Sequence, residues 1–277
     1  MWNNYHGHSC YCDGVGTPEQ YVEKAQELGI KTLGISSHAP LPFDTGWTMP
    51  SAKLQVYLDD LNGLKAKYDS AGFTLLSSLE VDYIRGIAGP AHPIITAANL
   101  NYIVGSVHYV DAFDSGERWS IDSTREEFAR GLKTIFGNDI NKVLRRYFDY
   151  QMEMCDTQPP HILGHCDKIK MHTYFDEHSE KYLSLLYDLL KLTVEKNIVV
   201  EINTKYFSRN NLLFPGKEHF RWMHKNNVHV TTNSDAHHPD FLTTGFSETA
   251  AMLQAAGYKE TWEWDGKSFS PFGIDAN

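Results

Sequence analysis

Short, nearly continuous apolar runs alternate along this chain with longer stretches in which apolar residues recur every three or four positions. The short runs predict seven strands, over residues 2–6, 32–37, 74–83, 102–109, 161–165, 198–203 and 228–233. The longer stretches predict helices. Thr17-Pro18-Glu19-Gln20 opens the first with an N-cap, a proline at the first helical position and polar residues in the first turn, and Gly29 closes it. Others are expected over 51–70, 124–136, 139–155, 179–196, 216–226 and 241–256. Strands that alternate with helices pair in parallel through right-handed crossovers. The cycle runs without a break in composition, so one closed α/β barrel over residues 1–277 is expected, with 258–277 as a C-terminal tail, hairpin or lid.

The polar residues at the strand ends change the picture. His6 and His8 follow the first strand and Asp13 comes shortly after. His38 follows the second, Glu80 lies late in the third, His108 late in the fourth, and His165 ends the fifth. Asp235 and His237 follow the seventh, while the sixth ends in Glu201-Ile202-Asn203-Thr204, polar but without histidine. In a parallel barrel all C-terminal strand ends open on one face, where active sites are built. Nine candidate ligands from six strand ends therefore converge. Residues i and i+2 of an extended segment point the same way, so His6/His8 and Asp235/His237 each aim two side chains inward.

Imidazoles and carboxylates without thiolates suit Zn²⁺, Mn²⁺ or Fe²⁺. Catalytic zinc takes about three protein ligands and leaves a position open, so nine ligands imply two or three ions. Three divalent ions less the charges of Asp13, Glu80 and Asp235 leave a formal charge of about +3. A phosphate monoester dianion with one hydroxide neutralises that charge, which points to phosphate ester hydrolysis.

Composition bounds the remaining choices. Of 277 residues, 42% are hydrophobic and 22% charged, enough for an ordinary globular core. A formal net charge of −10 opposes nucleic acid and anionic membranes as partners. The start, Met1-Trp2-Asn3-Asn4-Tyr5-His6, lacks the basic stretch and apolar core of a signal peptide, and no apolar run approaches the roughly 20 residues of a membrane span. A cytoplasmic protein, monomeric or a small homo-oligomer, is expected. Cys10, Cys12, Cys155 and Cys166 are too few for a disulfide framework and read as reduced thiols. His92, His161, His172, His178, His219, His224, His229 and His238 read as structural or surface residues.

The segments His6-Gly7-His8-Ser9, Ser37-His38-Ala39-Pro40-Leu41-Pro42-Phe43, Leu79-Glu80-Val81-Asp82-Tyr83, Gly105-Ser106-Val107-His108-Tyr109-Val110, Ile162-Leu163-Gly164-His165-Cys166-Asp167, Glu201-Ile202-Asn203-Thr204 and Ser234-Asp235-Ala236-His237 resemble the polymerase and histidinol phosphatase (PHP) superfamily. More narrowly, the chain resembles its histidinol-phosphate phosphatases, from His6 to about Leu253, with the motifs in family order. The resemblance implies a distorted TIM-like (β/α)₇ barrel and a centre of three divalent metal ions. It implies that His6, His8, Glu80 and Asp235 hold one ion, that Glu80 bridges to a second held by His108 and His165, and that Asp13, His38 and His237 hold the third. Ser37 stands where many members carry Asp. Lys205-Tyr206-Phe207-Ser208-Arg209 stands where they carry Gly-Leu-Arg, and Ser115-Gly116-Glu117-Arg118 looks like an insertion.

The implied reaction is hydrolysis of L-histidinol phosphate, in histidine biosynthesis, by a metal-bound hydroxide, with Glu80 and Asp235 at the reacting centre. Arg118, Arg209 and Lys205 are candidates for the phosphoryl oxygens. Asp122 is a candidate to protonate the leaving alkoxide or to hold a substrate ammonium. Rival readings are a related phosphoesterase acting on another metabolite or on nucleotides, and a non-catalytic metal-binding protein.

Overall fold

The computed structural model describes residues 2–70 and 72–274. In chain order its strands are β1 (Trp2–Asn4), β2 (Ile30–Ile35), β3 (Thr74–Asp82), β4 (Tyr102–Ser106), β5 (Tyr109–Ala112), β6 (Arg118–Ser120), β7 (Ile162–Leu163), β8 (Val199–Asn203), β9 (Val230–Asn233), β10 (Glu260–Trp264) and β11 (Phe269–Gly273). The helices are α1 (Pro18–Glu27), α2 (Leu54–Tyr68), α3 (Pro93–Thr96), α4 (Arg125–Thr134), α5 (Ile140–Thr157), α6 (Glu180–Glu195), α7 (Phe207–Asn210), α8 (Phe220–Lys225) and α9 (Phe246–Ala256).

Seven strands pair in parallel in the order β1-β2-β3-β4-β7-β8-β9. The circle closes just beyond the tips of its first and last strands. There Gly7 bridges Ala236, the His8 N–H donates to the Ala236 carbonyl at 2.8 Å, and the Ala236 N–H donates to the His6 carbonyl at 3.3 Å. The result is the nearly closed seven-stranded α/β barrel that the alternating pattern predicts. Helices lie outside because each has one apolar face. α5, for example, buries Val143, Leu144, Tyr147, Phe148, Met154 and Cys155 against the sheet, a helical spacing. α1 starts as its sequence demands: the Thr17 hydroxyl accepts from the Gln20 N–H at 3.3 Å, and the Gln20 side chain accepts from the Thr17 N–H at 2.8 Å.

Several expected boundaries move, each for a local reason. β4 stops at Ser106 instead of reaching Tyr109, because the His108 N–H leaves the ladder and donates to the Asp82 carboxylate at 2.9 Å. Tyr109 instead begins β5, which pairs antiparallel with β6, so the expected loop insertion is an ordered ribbon. β7 keeps only Ile162 and Leu163, because the His165 N–H donates to the Glu201 carboxylate at 2.8 Å. The helix expected over 241–256 begins at Phe246, after Gly245 takes a left-handed φ of 73°. In the stretch 216–226 a 3₁₀ turn precedes α8.

The tail forms a hairpin, β10 with β11, and not a cover over the histidines. Trp262, Trp264 and Phe269 pack on Leu76, Tyr102 and Val199, at or near the starts of their strands, and on Tyr5, just past the short β1. The hairpin therefore plugs the N-terminal end of the barrel. Residues 275–277 of the expected tail lie outside the described residues. No helix among the described residues is long and apolar enough to cross a membrane.

Candidate metal centre

All nine residues singled out at the strand ends come together at the C-terminal mouth. Glu80 is their hub. Its Oε1 lies 2.9 Å from His165 Nε2 and 3.7 Å from His108 Nε2. Its Oε2 lies 2.9 Å from His38 Nδ1, 3.3 Å from His6 Nε2 and 3.5 Å from His8 Nε2. One carboxylate thus offers each of its oxygens to a different set of imidazoles. Around it are three groups whose ligand atoms all lie within 4.8 Å of one another: His6, His8 and Asp235; Glu80, His108 and His165; and His8, Asp13, His38 and His237. The first two groups are buried. The third opens to solvent, with the Asp13 side chain 32% and the His237 side chain 24% exposed.

The donor set fits divalent metal ions. His6 Nε2, His8 Nε2 and His38 Nδ1 are buried, face Glu80 and have no hydrogen-bond partner. An unpartnered buried nitrogen is costly, and an ion among these atoms would satisfy all three. His8 is packed among other rings, its centroid 4.1 Å from that of His237 and 4.2 Å from that of His38. Burial, then the neighbouring His237 and His38, hold the His8 pKa well below the usual histidine value. Burial opposes ionisation of Glu80 too, but His6, His38 and His108 outweigh it and keep the carboxyl well below its usual range. Cys12 Sγ lies 3.7 Å from His8 Nδ1, on the ring's other nitrogen, and burial pushes its pKa up to about 11, so it stays a thiol.

Two carboxylates outside the nine orient the rings. Glu201, on the one barrel strand that brings none of the nine, accepts at 2.7 Å from His6 Nδ1 as well as from the His165 N–H. Asp82 lies 3.0 Å from His108 Nδ1. Each fixes which ring nitrogen faces Glu80.

The cations sort differently from the expectation. Lys205 Nζ lies 3.3 Å from Asp235 Oδ1 and 3.3 Å from His237 Nε2, inside the mouth. Arg209 is exposed on α7 and, with Lys205, Tyr206, Val15 and Phe241, lines a cavity of about 350 Å³ beside His237. Arg118 sits on β6 opposite Ala112 and joins none of the three groups or their ion pairs among the described residues. The sequence reading passed over Lys168. It follows His165 by three positions, is buried, and pairs with Asp122 Oδ2 at 2.7 Å. Burial works against the charge on Lys168, but Asp122, then Asp235 and Glu80, outweigh it and hold its pKa above the usual lysine value. Burial likewise opposes the Asp122 charge, and Lys168, then His108, hold that carboxyl below its usual range. In the free protein Asp122 is thus paired as a carboxylate with Lys168. Of the eight remaining histidines, His172 packs at a tilt against Phe128, His229 stacks on Trp262, and His92 and His238 cap short helical turns.

A parallel barrel with buried histidines and carboxylates gathered at the C-terminal ends of its strands belongs to the class of TIM-like barrels built around a polar mouth. The profile described as the PHP domain matches residues 4–205, and the chain belongs to that family. It is 23% identical over 270 residues to a protein of Schizosaccharomyces pombe named "Probable histidinol-phosphatase", covering 91% of this chain and 86% of the relative. A protein of the same name from Deinococcus radiodurans is 21% identical over 256 residues, covering 91% of this chain and 92% of the relative. Among solved structures, histidinol phosphate phosphatase of Lactococcus lactis, in complex with zinc, L-histidinol and phosphate, superimposes with a TM-score of 0.72. It is 17% identical and covers 97% of this chain and 98% of its own.

Proposed function

We propose that this protein is a metal-dependent phosphate monoester hydrolase, and that L-histidinol phosphate is its substrate. The observation that carries the reading is the division of Glu80 between two sets of buried imidazoles, with unpartnered nitrogens facing it, beside two lysines. His6, His8, Glu80 and Asp235 would hold one ion, Glu80 with His108 and His165 a second, and Asp13, His38 and His237 a third, as Zn²⁺, Mn²⁺ or Fe²⁺. Bound divalent ions would lower the pKa of water to about 7 and offset the charge on a phosphoryl group.

The chain's own residues do the rest. With an ion in place of the second ring proton, Asp82 and Glu201 would hold the His108 and His6 rings by Nδ1, leaving Nε2 to face Glu80. Lys205 stands beside Asp235 and His237 to receive a phosphoryl oxygen, and Arg209 lines the same cavity at its rim. The cavity beside His237 leaves room for the alcohol part of an ester. The names of the relatives support histidinol phosphate over other esters.

The test is phosphate release by metal-loaded protein from L-histidinol phosphate, generic monoesters and a diester. The expected outcome is a kcat/KM of about 10⁴ M⁻¹s⁻¹ or more for histidinol phosphate, well above the generic esters. Brisk turnover of another monoester and slow turnover of histidinol phosphate would discard the substrate and keep the chemistry. No release from any monoester would sink the reading.

A further inference from the structure

Beside the ligand cluster lies an ion pair that belongs to none of its three groups. Lys168 is 2% exposed, and its ammonium sits 2.7 Å from Asp122 Oδ2. That same oxygen lies 4.0 Å from His108 Nε2, at the edge of the mouth, and the Asp122 side chain is 24% exposed. The turn that presents Lys168 is anchored from below. Asp167 accepts from the Tyr182 hydroxyl at 3.0 Å and from the Gly216 N–H at 3.3 Å, and it pairs with Lys170 Nζ at 2.8 Å. Lys168 therefore occupies a fixed place, and Asp122 is its one ion-pair partner among the described residues.

A lysine buried beside a centre that holds surplus positive charge when loaded is unfavourable unless an anion stands against it. Asp122 is that anion in the free protein. A phosphoryl group is the other anion the mouth can receive, and it would compete with Asp122 for the same ammonium.

Resting on the phosphatase reading above, we propose that Lys168 and Asp122 form an exchangeable ion pair that reads a substrate carrying both a phosphate and an amine. On binding, the Lys168 ammonium passes to a phosphoryl oxygen, and the released Asp122 carboxylate takes the cationic amine of the alcohol part. The exchange leaves neither charge alone, because one pair and a zwitterion become two pairs. An ester without the amine strands Asp122, and a half-buried carboxylate left without its partner is penalised. Discrimination therefore falls on the amine, and the tighter hold on phosphate falls on Lys168.

The experiment compares L-histidinol phosphate with the analogue that lacks only its amine, on metal-loaded full-length protein. Inhibition by inorganic phosphate and metal content are measured alongside for each variant. The wild-type protein should favour the amine-bearing ester by about tenfold or more in kcat/KM. Asp122→Asn should bring that ratio toward one and tighten inhibition by phosphate, since Lys168 then has no competing partner. Lys168→Met should weaken phosphate inhibition by about tenfold or more, and Lys168→Arg should recover part of it. Unchanged metal content separates these effects from loss of an ion. Equal treatment of the two esters by the wild type overturns the exchange and leaves the phosphatase reading standing. So does an Asp122→Asn protein that loses phosphate affinity as Lys168→Met does. A loaded protein that hydrolyses neither ester overturns both.

Discussion

At the scale of single residues, the site depends on which groups are charged before a metal arrives. Burial works against a proton on His108, but Asp82 and then Glu80 outweigh it and push its pKa up to about 9. His6 is raised in the same way, with Glu201, Glu80 and Asp235 outweighing its burial. Both rings are therefore protonated in the metal-free protein at neutral pH and must lose that proton to bind an ion. The sign follows. The raised pKa values stabilise the metal-free fold fully below about pH 6.5, and the His108 contribution is lost as pH rises through about 9. Metal affinity moves the other way over the same interval. Protein stripped with chelator should melt at a lower temperature at pH 9 than at pH 6.5, and calorimetric titration with Zn²⁺ at pH 7.5 in two buffers should show proton release. A stripped protein that gains stability toward pH 9 would refute the assignment. Glu80→Gln removes the one charge shared by two sets of imidazoles. It should lower kcat by about 10²-fold or more and reduce the bound metal by at least one equivalent, read by elemental analysis.

At the scale of elements, each barrel strand delivers a group to the mouth, and neighbouring strands orient one another's groups. Asp82 at the end of β3 takes both the ring and the amide of His108 beyond β4, and Glu201 of β8 takes the amide of His165 beyond β7. This is why the strand order and the nine polar residues at the mouth were legible from the chain. A histidine that ends an apolar run stands out by type, and the period of two fixes its direction. The orienting carboxylates were less legible because their use depends on the neighbouring strand, which the linear pattern does not show. β4 and β7 came out shorter than their apolar runs for the same reason. Lys168 was missed because a lysine reads as a surface cation until the 3₁₀ turn over Lys168–His172 buries it. Glu201→Gln keeps the shape of the side chain and removes its charge. It should weaken metal binding by about 10–100-fold, measured by competition with a chelator, with the circular dichroism spectrum unchanged. Wild-type affinity in that variant would mean that His6 needs no carboxylate partner.

At the scale of the whole molecule, the barrel separates its work between two ends. The C-terminal mouth gathers charge in a buried cluster whose contribution to folding changes with pH and with its ions. The N-terminal end is closed by aromatic packing. Phe269 meets the rings of Tyr5 and Tyr102 edge-on, with centroids 5.0 and 5.6 Å away, and the Tyr5 hydroxyl accepts from the Trp264 N–H at 2.9 Å. Tyr5 directly precedes His6, so the plug and the centre meet on adjacent residues just past β1. If the plug serves only to complete the core, removing its central ring costs stability and spares catalysis. Phe269→Ala should then destabilise the protein by about 2 kcal/mol, since the ring is half-buried, and lower Tm by roughly 4–8 °C. The kcat/KM of the loaded, folded protein at 25 °C should change less than about twofold. If instead kcat/KM falls tenfold with metal content intact, the hairpin positions His6 through Tyr5, and the barrel's two ends act as one unit. Thermal melting and steady-state assays on the same preparation decide between them, because a purely structural role moves only the first.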